Sequence, residues 1–387
     1  MIKAVGLVLA LLYLGWVRYA RQPRVWVWMG SRPPKTGGER YCEEIIQELR
    51  GRGYPVRGFD AYQIGTFTAV HFLPFLGMTL GSFCLSLFLG WCRGPFIVDE
   101  HFTRQLYLSN LWRRWWGGGP LIILIHHMES YDSVRHTRWA RLKQKARLSG
   151  ADLLVVVSDY TRREVASLGI LAPMVVIPPG FDPSPTLASN EEPAPAPPLR
   201  LLCVGECSWR KGQHVLLKAL RLLPAADFSL RVAGRNRYNP YYSFVLRPMV
   251  AKHKLNVTFE GRVSRERLLE LYADSHVFVF PSIQEGFGIV LLEAMQSGLP
   301  VVASNATAIP ELVEHDRTGL LFPPGDAEAL AAALRSLTPA IRERMGRAAR
   351  ERMAEDRSWR RTRQMFYEAI KPLLEGDGPK AEAMVLV

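Results

Sequence analysis

Short runs of consecutive apolar residues alternate along this chain with stretches whose apolar positions recur every three or four residues. The runs RVWVWM (24–29), PFIVDE (95–100), PLIILIHHME (120–129) and ADLLVVVSDY (151–160) read as buried strands, being rich in β-branched and aromatic residues. A second series comes later in the chain: LRLLCVG (199–205), FSLRVAG (228–234), NVTFEG (256–261), HVFVF (276–280) and LPVVAS (299–304). The stretches ERYCEEIIQELRGRG, QHVLLKALRLL and IVLLEAMQSG have helical spacing, the last stopped by Gly298 and Pro300. Such alternation predicts an α/β fold with parallel sheets. Both halves repeat the plan strand, glycine-bearing loop, helix, so two Rossmann-like α/β domains facing each other across a cleft are expected, over 23–183 and 199–354. The Pro/Ala/Glu-rich stretch SPTLASNEEPAPAPP (184–198) reads as a linker. SWRRTRQMFYEAIKPLL (358–374) has the spacing of an amphipathic helix, and 376–387 is a tail.

Two further apolar stretches do not fit a soluble domain. KAVGLVLALLYLGWV, from Lys3 to Val17, is short for a full span of about 20 residues, but Ile2 and Tyr19-Ala20 extend it. RYARQPR stands after it in place of a small-residue cleavage site, and Arg18, Arg21 and Arg24 place the rest of the chain on the cytosolic side. An N-terminal hydrophobic anchor over 1–22 is therefore expected. The segment at 64–92 is long enough to span, yet strand candidates flank it on both sides. It is read as an apolar internal helix pair or as a segment that dips into the membrane and returns, bending at Pro74 and Gly77.

Charge adds to this picture. The chain of 387 residues has a formal net charge of +13, and no nucleic-acid-binding motif accompanies it. SVRHTRWARLKQKARLSGA (133–151) carries six basic residues and no acid, with Trp139, Leu142 and Leu148 supplying apolar surface. LWRRWWGGG (111–119) sets three tryptophans beside two arginines. Both suit an anionic membrane surface. The expected location is the cytoplasmic face of the cell membrane. Five cysteines, at 42, 84, 92, 203 and 207, form no CxxC pair, which suits reduced thiols. No His/Cys cluster has zinc spacing, so no metal is expected.

Candidate chemistry concentrates in PSIQEGFGIVLLEA (281–294). Glu285 lies past the carboxyl end of a strand and Gly288 opens a helix, the place where α/β folds bind ligands. A helix start offers backbone N–H groups to phosphate, and Glu293, further in, offers a carboxylate to hydroxyls. Acids for hydroxyls around amides for phosphate suggest a sugar nucleotide.

P-S-x-x-E-G-F-G, with E-A-x-x-S-G-x-P after it, resembles the donor-site signature of the retaining GT-B glycosyltransferases of family four. The resemblance runs from about residue 24 to 371. It implies a GT-B fold and a terminal helix, here 355–375, that crosses back to the first domain. TGGERYCEEIIQELRGRGYPV resembles the first-domain glycine loop, where Gly37 and Gly38 let backbone approach donor or acceptor. VGECSWRKGQHVLLKAL resembles the diphosphate loop, with Gly205 and Lys211 matching; Glu206 stands where an arginine is common, and Arg210 is a substitute cation. Arg235 is another basic candidate, and backbone near Val263 would meet the base. Phe287, Gly288, Ile289 and Glu293 complete the donor set. His126, or the adjacent His127, would contact the donor sugar, and Ser158 either lines the cleft or caps a helix.

The resemblance implies metal-independent transfer of a hexose from a nucleotide sugar to a lipid-linked or glycan acceptor, with no cofactor. The DxD pattern typical of metal-dependent GT-A enzymes is absent from this chain. Glu285 and His126 would be the catalytic pair. A non-catalytic sugar-nucleotide or membrane-binding subunit, a GT-B-fold sugar-nucleotide epimerase and a basic nucleic-acid binder are the alternatives.

Overall fold

The computed structural model of the chain describes residues 25–29, 37–60, 71–73, 78–79, 94–100, 119–128, 138–181, 198–235, 240–353 and 357–376. The chain divides into two units, 1–179 together with 359–387, and 180–358.

The first unit is built on a six-stranded parallel sheet. Its elements are β1 (Val25–Met29), α1 (Gly37–Gly51), β2 (Val56–Asp60), β3 (His71–Leu73), β4 (Met78–Thr79), β5 (Phe96–Asp99), β6 (Leu121–Ile125), α2 (Arg138–Leu148), β7 (Leu153–Val156), α3 (Asp159–Ala166) and β8 (Met174–Val176). The sheet order is β2-β1-β5-β6-β7-β8. Strands β5, β6 and β7 are buried at every position. This is why the sequence shows unbroken apolar runs there and no alternation, since a parallel sheet is covered on both faces. Strands β3 and β4 form a separate antiparallel pair. They correct the reading of 64–92 as a helix pair: the middle of that segment is a strand pair, consistent with Pro74, which cannot sit in a helix interior without losing a hydrogen bond. The rest of 64–92, the anchor at 1–22, the tryptophans of 112–116, nearly all of the linker and the tail beyond 376 lie outside the described residues.

Helix α2 carries most of the basic segment 133–151. Leu142 is exposed, but Leu148 is fully buried in the core with Leu121 and Ile123. Leu148 therefore adds no surface for lipid, and the apolar face is narrower than expected. Among the described residues no helix is long and apolar enough to cross a membrane.

The second unit contains β9 (Leu199–Val204), α4 (Gln213–Leu220), β10 (Phe228–Ala233), α5 (Pro240–Lys252), β11 (Val257–Gly261), α6 (Arg265–Ala273), β12 (Val277–Phe280), α7 (Ile289–Gln296), β13 (Val301–Ser304), α8 (Ile309–Leu312), β14 (Gly319–Phe322), α9 (Ala327–Ser336) and α10 (Pro339–Arg352). Its parallel sheet runs β11-β10-β9-β12-β13-β14. In chain order that is 3-2-1-4-5-6, the doubly wound pattern, and the direction of winding reverses between β9 and β12. In such sheets the loops after these two neighbours diverge, and the crevice at their carboxyl ends is where ligands bind.

The final helix, α11 (Trp359–Glu375), belongs to the first unit. Arg363 pairs with Glu44 at 2.7 Å and Glu48 at 3.4 Å, and the Arg52 guanidinium lies 3.8 Å over the Tyr367 ring. Thr362 donates to the Pro178 carbonyl at 2.9 Å, and Trp359 meets Tyr41 edge-on. Its apolar stripe is thus covered by α1.

Two histidines of the second unit must remain neutral. His276 Nδ1 accepts from the Arg200 backbone N–H at 3.0 Å, and burial lowers its pKa to about 4. Burial likewise lowers His214 to about 4. The folded values lie below the ordinary 6.5, so the unfolded chain takes up protons first as pH falls. This stability is fully present above pH about 6.5 and is lost as pH drops toward about 4. Thermal unfolding scanned across that window is expected to show a falling midpoint. His276→Asn, which keeps an acceptor and removes the titration, is expected to flatten the slope.

Candidate active site

Two loops line the crevice of the second unit, one after β9 and the other after β12. Beyond β9 the chain passes Gly205 and turns through a single 3-10 turn, Trp209–Lys211, into α4. Gln213, almost fully buried, holds this loop by accepting from the Ser208 N–H and donating to the Glu206 carbonyl at 3.0 Å. Trp209 packs edge-on against His214 and Tyr242, and the Tyr242 hydroxyl accepts from the His214 backbone N–H at 2.8 Å. The loop is therefore a fixed platform. Gly234, after the neighbouring strand β10, has φ +159°, and a Cβ there would lie 1.8 Å from the Gly205 carbonyl oxygen. Only glycine permits strand ends to approach so closely.

Lys211 projects from this platform to Glu285, its ammonium bonded to Oε2, and both side chains are largely buried. The ammonium also lies 4.9 Å from the Phe280 ring centre. Burial lowers the Lys211 pKa, and Arg210 adds to this while Glu285 opposes it. Arg210 stands 3.8 Å from the same carboxylate oxygen and donates to the Gln284 carbonyl at 3.0 Å. Glu285 is fixed through its backbone, whose N–H donates to Thr307 Oγ1 at 2.9 Å. Three candidates from two distant parts of the sequence, Arg210 and Lys211 on one side and Glu285 on the other, thus meet at one point.

Phe287 is buried, and Gly288 caps α7 with φ +98°. The left-handed residue turns the chain so that Ile289 opens the helix, whose first amides have no intrahelical partner. Glu293 lies one turn in. Arg265 Nη1 bonds Glu293 Oε1 at 2.5 Å, and the fully buried Tyr272 hydroxyl donates to Oε2 at 3.1 Å. Burial, and after it Glu293 itself, pushes the Tyr272 pKa well up, so this hydroxyl keeps its proton as a donor. Val263 sits in the turn before Arg265, and Arg235 contributes its carbonyl to the Cys207 N–H at 2.8 Å.

In the first unit, His126 comes directly after β6 and stacks over Gly38, where a Cβ would meet the ring at 2.9 Å. Tyr41 meets the same ring edge-on at 5.3 Å, and Asp99 Oδ2 is 3.7 Å from Nε2. Cys42, Asp99 and His126 offer metal-ligating atoms all within 4.8 Å of one another. Burial, then Asp99 and two glutamates, pushes the Cys42 thiol well up. His127 is half-buried beside His126, and Gly37 begins α1 at the surface. Ser158 is the N-cap of α3, accepting from the Thr161 N–H at 3.1 Å, which is the capping role expected of it.

Four residues that matter here are not among the candidates, and three of them carry no signal in the sequence. Tyr272 has the pattern of an ordinary apolar position on a helix, and Arg265 that of a surface charge; only folding brings both onto Glu293. Gln213 has no signal. Asp99 does have one, as a polar residue ending a buried strand.

Against known proteins, residues 35–185 match the model of Glycosyltransferase Family 4, and residues 186–352 match that of Glycosyl transferases group 1. A D-inositol 3-phosphate glycosyltransferase from Pseudarthrobacter chlorophenolicus is 34% identical over 305 residues, 70% of each chain. This chain belongs to the family-four GT-B glycosyltransferases. A glycogen synthase of Mycobacterium tuberculosis is 33% identical over 258 residues, 62% of this chain, and the chain spans 60% of that relative's length. The solved sucrose-phosphate synthase of Thermosynechococcus elongatus shares the fold, with a TM-score of 0.72 at 23% identity over 92% of this chain and all of its own. HepE of Anabaena, solved with UDP and glucose, has a TM-score of 0.69 at 19% identity, covering 90% of this chain and all of its own.

Within this family-four chain, the clamp on Glu293 generates a prediction. Tyr272→Phe removes one hydrogen bond and keeps the packing. It is expected to raise the KM for a nucleotide-sugar donor several-fold, in line with roughly 1 kcal/mol for one hydrogen bond, with kcat little changed. Steady-state kinetics on the two proteins checks it.

Proposed function

We propose that this chain is a retaining glycosyltransferase that moves a hexose from a nucleotide sugar to a lipid-linked or glycan-precursor acceptor. The observation that carries the reading is the buried Lys211–Glu285 pair at the winding reversal, beside the helix start at Gly288. A lysine, an adjacent arginine and a helix amino end are suited to a diphosphate, and a carboxylate among them is suited to sugar hydroxyls.

The chemistry is built from these groups. Before donor binds, Glu285 holds the Lys211 ammonium. A diphosphate entering the loop competes for that ammonium and releases Glu285 toward the sugar. Lys211, Arg210 and the first amides of α7 then stabilise negative charge developing on the leaving diphosphate. Glu293, oriented by Tyr272, takes the ribose hydroxyls. The acceptor hydroxyl attacks from the face the diphosphate leaves, and a phosphate oxygen takes its proton, which retains anomeric configuration. Glu285 thus positions the sugar without acting as a hydrolase-type nucleophile. His126 is assigned the donor-sugar contact on the family resemblance. No step requires a cofactor or a metal.

The acceptor assignment rests on the apolar and basic segments of the first half of the sequence. A cytoplasmic membrane face is the proposed location, with 1–22 as anchor and helix α2 facing anionic lipid. Removal of residues 1–22 is expected to cut binding to anionic liposomes in sedimentation; unchanged binding would refute the anchor.

Glu285→Gln keeps the side-chain shape and removes the charge. Transfer is expected to fall by at least about a hundredfold, a loss of transition-state stabilisation of the size seen when one such group is removed. The fold is expected to be retained by circular dichroism, because Lys211, already shifted toward neutrality by burial, can shed its proton in place of a lost partner. Nucleoside diphosphate release, screened over a panel of nucleotide sugars, measures this. Near-normal release by the variant would sink the assignment.

A further inference from the structure

We propose that Cys42, Asp99 and His126 form a binding site for one divalent cation of the zinc type. The three residues come from different elements. Cys42 lies on the second turn of α1, Asp99 ends β5, and His126 comes after β6, the strand hydrogen-bonded beside β5. Their sulfur, oxygen and nitrogen donors all lie within 4.8 Å of one another, with His126 Nε2 and Asp99 Oδ2 at 3.7 Å. In a tetrahedral zinc site, bonds of about 2.0–2.3 Å set donors roughly 3.3–3.7 Å apart. The widest pair here needs to close by about an ångström, within reach of small side-chain rotations.

The donor set chooses the ion. A thiolate and an imidazole disfavour magnesium and calcium, which take oxygen ligands, and favour zinc or cobalt. Surrounding charge favours a cation too. Glu39, one turn before Cys42, and Glu100, next to Asp99, are both buried. The imidazole is already oriented, by Gly38 under its ring and Tyr41 at its edge. Three protein ligands leave a fourth position for water, as in sites that remain open to exchange. Binding forms a sulfur–metal bond and releases the thiol proton to solvent.

An ion held there engages His126. If His126 contacts the donor sugar, as the proposed function has it, zinc slows transfer; this consequence, unlike the site itself, rests on that reading. The experiment uses the full chain freed of metal with a chelator and titrated with Co2+ and then Zn2+. Expected are a thiolate-to-cobalt charge-transfer absorption, and thermal stabilisation by Zn2+. Both should disappear in Cys42→Val, which keeps the buried packing, and Zn2+ affinity should fall at least about tenfold in Asp99→Asn, the loss of one ligand charge. Cys42→Val should transfer sugar normally in chelator. Absence of the band in the native chain, or the same band in Cys42→Val, overturns the site. The band together with transfer that Zn2+ leaves unaffected keeps the site and overturns the role of His126.

Discussion

One buried ion pair organises the second unit: Lys211 and Glu285, brought together across the reversal of strand order. A buried pair is a poor source of stability, because desolvation of both charges offsets most of their attraction, yet removing one partner costs about 3–5 kcal/mol. On the proposed reading, its role is in binding rather than in stability. Each partner is held by its backbone, Lys211 by the turn that Gln213 and Trp209 anchor, Glu285 by Thr307. On the proposed reading, the side chains exchange partners while the main chain stays in place. Burial already draws the lysine toward its neutral form, so the carboxylate keeps it charged until another anion arrives.

The second acid is managed in the opposite way. Glu293 is clamped through its side chain, by Tyr272 on the buried side and Arg265 from the surface. Two carboxylates eight positions apart thus occupy contrasting environments. One is poised to change partners, and the other is held in a single orientation. On the proposed reading this division suits their tasks: the sugar moves during transfer, whereas the ribose only has to be held.

Much of this was legible in sequence. The apolar runs marked the sheet strands because parallel strands are buried on both faces, and glycines marked the turns where backbone comes close or φ is positive. The pairing of Lys211 with Glu285 was reachable only through the family resemblance, since 74 positions separate them. Periodicity failed where a residue's role depends on a tertiary partner. Tyr272 has the pattern of a core position, and it is in the core, but its hydroxyl is what holds Glu293. Leu148 erred in the other direction: its place in a basic segment suggested a surface, and the helix turned it inward. The strand pair within 64–92 was hidden because an apolar run does not distinguish strand from helix by composition alone.

The two units share one plan, parallel strands with glycine turns at their carboxyl ends, and yet put different chemistry on it. The second unit places cations, a carboxylate and a helix start there. The first places an imidazole, a thiol and buried acids around His126. A shared architecture therefore did not transmit a shared site; the residues just past each strand decide what the edge can bind. On the proposed readings, the same topology serves an anion in one unit and a cation in the other. Charge at the strand ends, more than the sheet beneath, separates their tasks.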